Sequence, residues 1–115
     1  MNILNKLKKS RFRSSFHLTN NDKLVVENKG IEKMKEHAFN ILSKRLMKKP
    51  INDGKQTPWK GYPIFIAQHA TGTCCRGCMK KWYQINEDKV LNKEEIDYFS
   101  DLIVFWIEDE MRRKV

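Results

Sequence analysis

Three cysteines, Cys74, Cys75 and Cys78, fall within the short phrase Thr73-Cys-Cys-Arg-Gly-Cys78. Cys75 and Cys78 form a C-x-x-C pair, and Cys74 adds a second pairing with Cys78 at i, i+4. If Thr73 caps a helix that starts here, both spacings bring thiols to one side of its first turn. Thiolates and imidazoles that converge to about 2.0–2.3 Å in a tetrahedron hold zinc. Cys75 and Cys78 are therefore the first ligand candidates, and Cys74, His69 and His37 compete for the remaining positions. Four protein ligands would make the site structural, whereas three plus water would leave a position open for chemistry. An open position would face the Asp53–Thr57 loop, making Asp53, Gln68 and His69 the candidates for acid–base or polar roles in a metal-dependent hydrolase or deaminase-like enzyme. Redox chemistry is the competing use of the thiols, because a helix N-terminus lowers the pKa of the first cysteine. The βαβ pattern that surrounds such a pair in thioredoxin-like domains is missing, and adjacent Cys74 and Cys75 would form a strained disulfide. A third reading is a small interaction module in which the thiols only pack. No Gly-rich phosphate loop, Ser-centred elbow or H-E-x-x-H is present.

The bulk properties narrow the setting. The chain has 115 residues, 40% hydrophobic and 32% charged, which suits one globular domain with a modest core. No apolar run approaches the roughly 18 residues of a membrane span, and the basic N-terminus MNILNKLKKSRFRSS lacks the apolar core of a secretory signal. Clustered cysteines in odd number favour a reducing, cytoplasmic setting over a disulfide framework. The formal charge is +9 and unevenly placed. Lys6, Lys8, Lys9, Arg11 and Arg13 lead the chain, Lys44, Arg45, Lys48 and Lys49 follow, and the acidic residues gather from Glu87 to Glu110. Nucleic acid is the first partner to test, through a steep fall of affinity with salt; surplus lysine for solubility is the alternative.

The elements expected to position the cysteines form an α+β domain. Residues 1–10 read as a basic N-terminal arm and residues 11–115 as a single domain. Phe12, Ser14, Phe16 and Leu18 alternate with polar residues and predict a strand; Asn20–Asp22 predict a turn and Lys23–Glu27 a second strand, together a hairpin. Ile31, Met34, Ala38, Ile41, Leu42 and Leu46 predict an amphipathic helix over Ile31–Lys48. The turn-rich segment Ile51–Gly61 is long for a connection. The apolar run from Ile64 to Ala67 predicts a buried strand over Pro63–Gln68 leading into the cysteine helix, which should reach Gln84. Asn92 and Glu95 are spaced as a capping box, and Leu91 and Ile96 as a hydrophobic staple, for a core helix ending near Arg113. The hairpin and the central strand would make one small sheet packed by three helices.

Two whole phrases, Asn52-Asp-Gly-Lys-Gln-Thr-Pro58 and Ala67-Gln-His-Ala-Thr-Gly-Thr-Cys-Cys-Arg-Gly-Cys78, carry a resemblance. With Phe12-Arg-Ser-Ser-Phe-His-Leu18, His37-Ala38, Lys81-Trp82 and Trp106-Ile107, the chain resembles a family of small bacterial and phage proteins catalogued only as a domain of unknown function. The resemblance spans nearly the whole chain and implies no activity. Tyr83 and Tyr62 stand where that family commonly has histidine. The order of His37-Ala38 and then the Cys75–Cys78 pair is also similar to zinc-dependent nucleoside and base deaminases, which would make His37, Cys75 and Cys78 the zinc ligands. Phe39 occupies the place of their proton-shuttling glutamate, and phenylalanine transfers no proton.

Overall fold

The computed structural model describes residues 2–113, and every regular element among them is an α-helix. The helices are α1 (Asn2–Lys8), α2 (Arg11–Ser14), α3 (Asn20–Lys29), α4 (Ile31–Arg45), α5 (Pro63–Thr71), α6 (Arg76–Tyr83) and α7 (Lys93–Arg112). Met1, at the head of the expected arm, and residues 114–115, at the end of the expected domain, lie outside the described residues. The expected α+β fold is thus corrected to an all-helical one. No described helix is long and apolar enough to cross a membrane.

Each expected strand has its own reason for being a helix. In the Arg11–Leu18 stretch the alternation is not a face: Phe12 is 50% exposed while Arg13 is 7% exposed. Ser10 instead caps α2 by accepting from the Arg13 N–H at 3.2 Å. The expected turn at Asn20–Asp22 is the first turn of α3. Thr19 accepts from the Asp22 N–H and Asp22 accepts from the Thr19 N–H, a reciprocal capping box that satisfies two end donors at once. Lys23–Glu27 lies inside α3, where Val26 is buried and Leu24 is exposed. The Pro63–Gln68 run is the body of α5, with Pro63 at its first position and Gly72 at its C-cap in the left-handed region, φ 72°. Eight of the nine α5 residues are buried, and a helix buried on all sides shows no apolar stripe to tell it from a buried strand.

The other helices follow the sequence pattern closely. On α4, Met34, Ala38 and Leu42 are wholly buried, with Leu46 just beyond the helix end. Asn92 and Glu95 form the expected capping box on α7, at 2.8 and 3.0 Å, and Leu91 and Ile96 are both buried. Helix α7 is the axis of the fold, with α4 and α5 packed on it. The first ten residues, expected as an arm, contain α1, whose Leu4 and Leu7 join the same core. Glu110 of α7 ties down the link from α2 to α3, accepting from the Leu18 N–H at 2.9 Å and pairing with His17 at 3.1 Å.

Leu102 and Phe105, neighbours on the apolar side of α7, separate in the structure: Leu102 is 0% exposed and Phe105 46%. Leu102→Ala is expected to cost about 2–5 kcal/mol by removing buried methyl groups and leaving a cavity. Phe105→Ala should cost under about 1 kcal/mol. Urea unfolding of the two variants checks this, and equal losses would contradict the assigned face of α7.

Candidate metal centre

The cysteines sit where α5 ends and α6 begins. Helix α6 starts at Arg76, later than the sequence spacing suggested, and Cys75 rather than Thr73 is its N-cap: the Cys75 sulfur accepts from the Cys78 N–H at 3.3 Å. The Thr73 hydroxyl pairs instead with that of Thr71 at 2.9 Å. The turn through Gly72 and Thr73 brings Cys74 back over the start of α6. As a result the sulfurs of Cys74, Cys75 and Cys78 all lie within 4.8 Å of one another. All three are free thiols; Cys74 and Cys75 are buried and Cys78 is partly exposed. Tetrahedral zinc with Zn–S bonds of about 2.3 Å spaces its sulfurs about 3.8 Å apart. The cluster therefore needs to close by only about 1 Å to embrace an ion.

The Ile51–Gly61 loop builds the floor of this site. Asp53 accepts from the Arg76 N–H through Oδ1 and from the Gly77 N–H through Oδ2, each at 3.0 Å. Gln56 steadies it, donating to Asp53 Oδ1 at 2.7 Å while accepting from the Gly54 N–H at 2.7 Å. Thr57 donates its hydroxyl to the Cys74 carbonyl at 2.7 Å. Burial alone would raise the Asp53 pKa. The hydrogen bonds from Gln56, Arg76 and Gly77, with Lys49 nearby, outweigh it and hold the carboxyl below its ordinary value.

A residue the sequence showed only as one more positive charge sits against the sulfurs. Arg13 is buried and donates to the His69 carbonyl at 2.7 Å, to the Cys78 sulfur at 3.1 Å and to the Cys74 sulfur at 3.7 Å. Hydrogen bonds from Cys74 and Cys75, reinforced by the Arg13 guanidinium, hold the Cys78 thiol far below its ordinary pKa. Cys74 is pushed up by its hydrogen bonds to Cys75 and Cys78 and by burial. Of the three sulfurs, that of Cys78 lies nearest the guanidinium among the bonds Arg13 makes, at 3.1 Å. Arg76 is a second buried arginine, donating to the carbonyls of Leu46, Met47 and Asn86 at 2.9–3.3 Å. It anchors α6 to the C-terminal end of α4, whose last carbonyls lack helical partners.

The histidines go to different places. His69 packs flat on Trp59, with ring centroids 4.1 Å apart, and its Nε2 points at the carbonyls of Pro58 and Thr57 at 3.0 and 3.3 Å. Those acceptors place the proton on Nε2, so Nδ1 carries the lone pair, and Nδ1 is buried without a partner. Burial lowers the His69 pKa despite the two carbonyls, which favours the neutral ring a metal needs. His37 pairs with the Tyr62 hydroxyl at the far end of α5. The nine-residue length of that helix, roughly 13 Å, stands between it and the thiols. Gln68 is buried and donates to the Thr73 carbonyl at 3.1 Å. Thus the structure brings the sulfurs of Cys74, Cys75 and Cys78 together, links the His69 backbone to them through the Arg13 guanidinium, and brings the ring nitrogens of neither His69 nor His37 into the group.

Hydrogen bonds donated by Thr57 and Arg13 and accepted by Asp53 and Pro58 join the Asn52–Pro58, Ala67–Cys78 and Phe12–Leu18 segments into one unit. A family model for a domain of unknown function, DUF4186, matches residues 1–108. The chain belongs to that family. No solved structure gives a significant match to the chain.

Asp53→Asn tests the clamp. It is expected to lower stability at neutral pH by about 0.5–2 kcal/mol, the range for losing a helix cap. Because the folded pKa of Asp53 lies below its unfolded value, its contribution is full above about pH 4 and fades as pH falls through the folded value. Urea midpoints measured from pH 7 downward should therefore fall less steeply for Asp53→Asn than for the wild-type chain. Parallel curves would contradict the role given to the carboxylate.

Proposed function

We propose that this protein is a zinc-binding protein whose centre is built by Cys74, Cys75 and Cys78. The observation that carries this reading is the convergence of the three sulfurs to within 4.8 Å. Soft thiolate ligands that need to close by only about 1 Å to reach tetrahedral spacing suit zinc, with other thiophilic ions as competitors. Three thiolates and a divalent ion sum to one negative charge, and the Arg13 guanidinium balances it. His69 is the fourth donor its chemistry favours: its Nε2–H is fixed on backbone carbonyls, the arrangement that orients ligating histidines, and its Nδ1 lone pair is buried and unpartnered, although its ring lies outside the group of three sulfurs and would have to move to reach an ion there.

A structural or metal-holding role is better supported than catalysis by metal-bound water. Both oxygens of Asp53 cap α6 and the amide of Gln68 is tied to Thr73. Of the residues the sequence offered for acid–base work, His69 keeps a free nitrogen, the one a metal would take, and Gln68 keeps an unpartnered Oε1, an amide oxygen that carries no exchangeable proton.

Metal analysis of untagged protein purified anaerobically should give about one zinc per chain, with the three thiols reacting only after chelation. In cobalt-substituted protein, thiolate-to-metal charge-transfer intensity should fall with each Cys→Ser change. Arg13→Gln should weaken binding by about 10–100-fold, the usual cost of losing a group that supports metal ligands. His69→Ala should change the cobalt ligand-field bands while leaving the sulfur bands in place. Metal-free protein with three freely reactive thiols and no cobalt spectrum would overturn the proposal.

A further inference from the structure

The loop beside the thiol cluster also presents an aromatic surface that shares only His69 with the proposed zinc centre. Trp59 lies on His69 with only 7° between the ring planes. Phe16 is nearly parallel to both, at 6.2 Å from Trp59 and 5.5 Å from His69. Phe12 stands edge-on to Phe16 and Trp59 at 5.2 and 6.3 Å. Even within this stack Trp59 remains 61% exposed, and Phe12 is half exposed. The indole is thus held in place from beneath and open to solvent, a ring whose ordering cost is already met by its packing.

The segments that carry the stack also carry cations. Lys55 and Lys60 are exposed on the same loop, and Arg11 is exposed next to Phe12. Arg45 reaches the loop by donating to the Gln56 carbonyl at 3.3 Å. Across Arg11–Phe16 and Ile51–Gly61 the sole acidic residue is Asp53, and its oxygens face the α6 N–H groups. An open aromatic face on segments rich in exposed positive charge, with no free carboxylate among them, matches a polyanion that carries flat rings. Single-stranded nucleic acid has both features, because its bases are unpaired and can stack on a side chain. The bases of a duplex are already stacked and turned inward.

We propose that this surface binds single-stranded nucleic acid, one base stacking on Trp59 while Arg11, Arg45, Lys55 and Lys60 hold the flanking phosphates. None of these five residues is a proposed zinc ligand, and although Trp59 packs on His69, the binding is expected with and without the metal.

Fluorescence anisotropy of a labelled oligothymidylate of about fifteen nucleotides, long enough for one such site, tests it with the full chain. Binding at about 50 mM salt should weaken with a log–log slope near −3, from about −0.7 for each of four phosphate contacts. Trp59→Ala should weaken binding by about tenfold or more, while Trp59→Phe, which keeps a ring, should lose less. Lys55→Glu with Lys60→Glu, which leaves the stack intact, should also weaken binding and flatten the salt slope. Absence of binding at low salt, equal affinity of wild type and Trp59→Ala, or a duplex of the same length binding as tightly would each overturn the proposal.

Discussion

The arginine buried against the cysteines is the constraint around which the site is arranged. A guanidinium removed from water costs several kcal/mol unless its donors and its charge are matched. Arg13 has the His69 carbonyl for one donor and sulfur for others, and a neutral thiol is a weak acceptor. The guanidinium therefore requires negative charge on the sulfurs, whether as the Cys78 thiolate or as a thiolate–metal group. The requirement runs both ways. Three thiols brought together in a core would repel once ionised, and a fixed cation at 3.1 Å from Cys78 makes the ionised form tolerable. Charge matching, more than apolar packing, explains why a buried arginine and buried cysteines occur as neighbours.

The site is assembled from ends and loops of helices. Helix α6 is eight residues long, too short to be stable through its own hydrogen bonds. Its first N–H groups are met by Asp53 and Cys75, and Arg76 fastens it to α4. The loop that supplies Asp53 also holds the Cys74 carbonyl through Thr57 and the His69 ring through Pro58. Loosening any of these would move a sulfur or the imidazole relative to the rest, because they share one hydrogen-bonded frame.

The parts of this arrangement that were legible in the sequence are those with local signals. The α4 stripe, the Asn92–Glu95 box and the thiol spacing each rest on residues a few positions apart. The α+β reading failed where local signals were ambiguous. Phe12, Phe16 and Leu18 alternate by chance, and Thr19-Asn-Asn-Asp22, which has the spacing of a capping box, was overshadowed by its turn-like composition. Pro63 and Gly72 bracket α5 as helix start and stop residues, yet its apolar run also fits a strand. Of the cluster, the three cysteines could be named from spacing alone. Arg13 could not, because 61 positions separate it from Cys74 and nothing in its own neighbourhood distinguishes it from Arg11.

The turn between α5 and α6 shows how tightly backbone and site are coupled. Gly72 adopts φ 72°, a conformation that side chains resist, and a Cβ there would lie 2.6 Å from Trp82. Both conditions restrict the position to glycine. Around it, the Thr73 N–H donates to the Gln68 carbonyl at 2.9 Å, the Gln68 amide donates to the Thr73 carbonyl, and the Tyr83 hydroxyl donates to the Thr71 carbonyl. Every one of these bonds lies within three positions of Cys74 or joins α5 to α6. A tight turn pinned from both helices fixes the direction in which Cys74 leaves it, and so fixes whether its sulfur meets those of Cys75 and Cys78. The convergence of the three sulfurs is therefore a property of the Gly72 turn as much as of the cysteines.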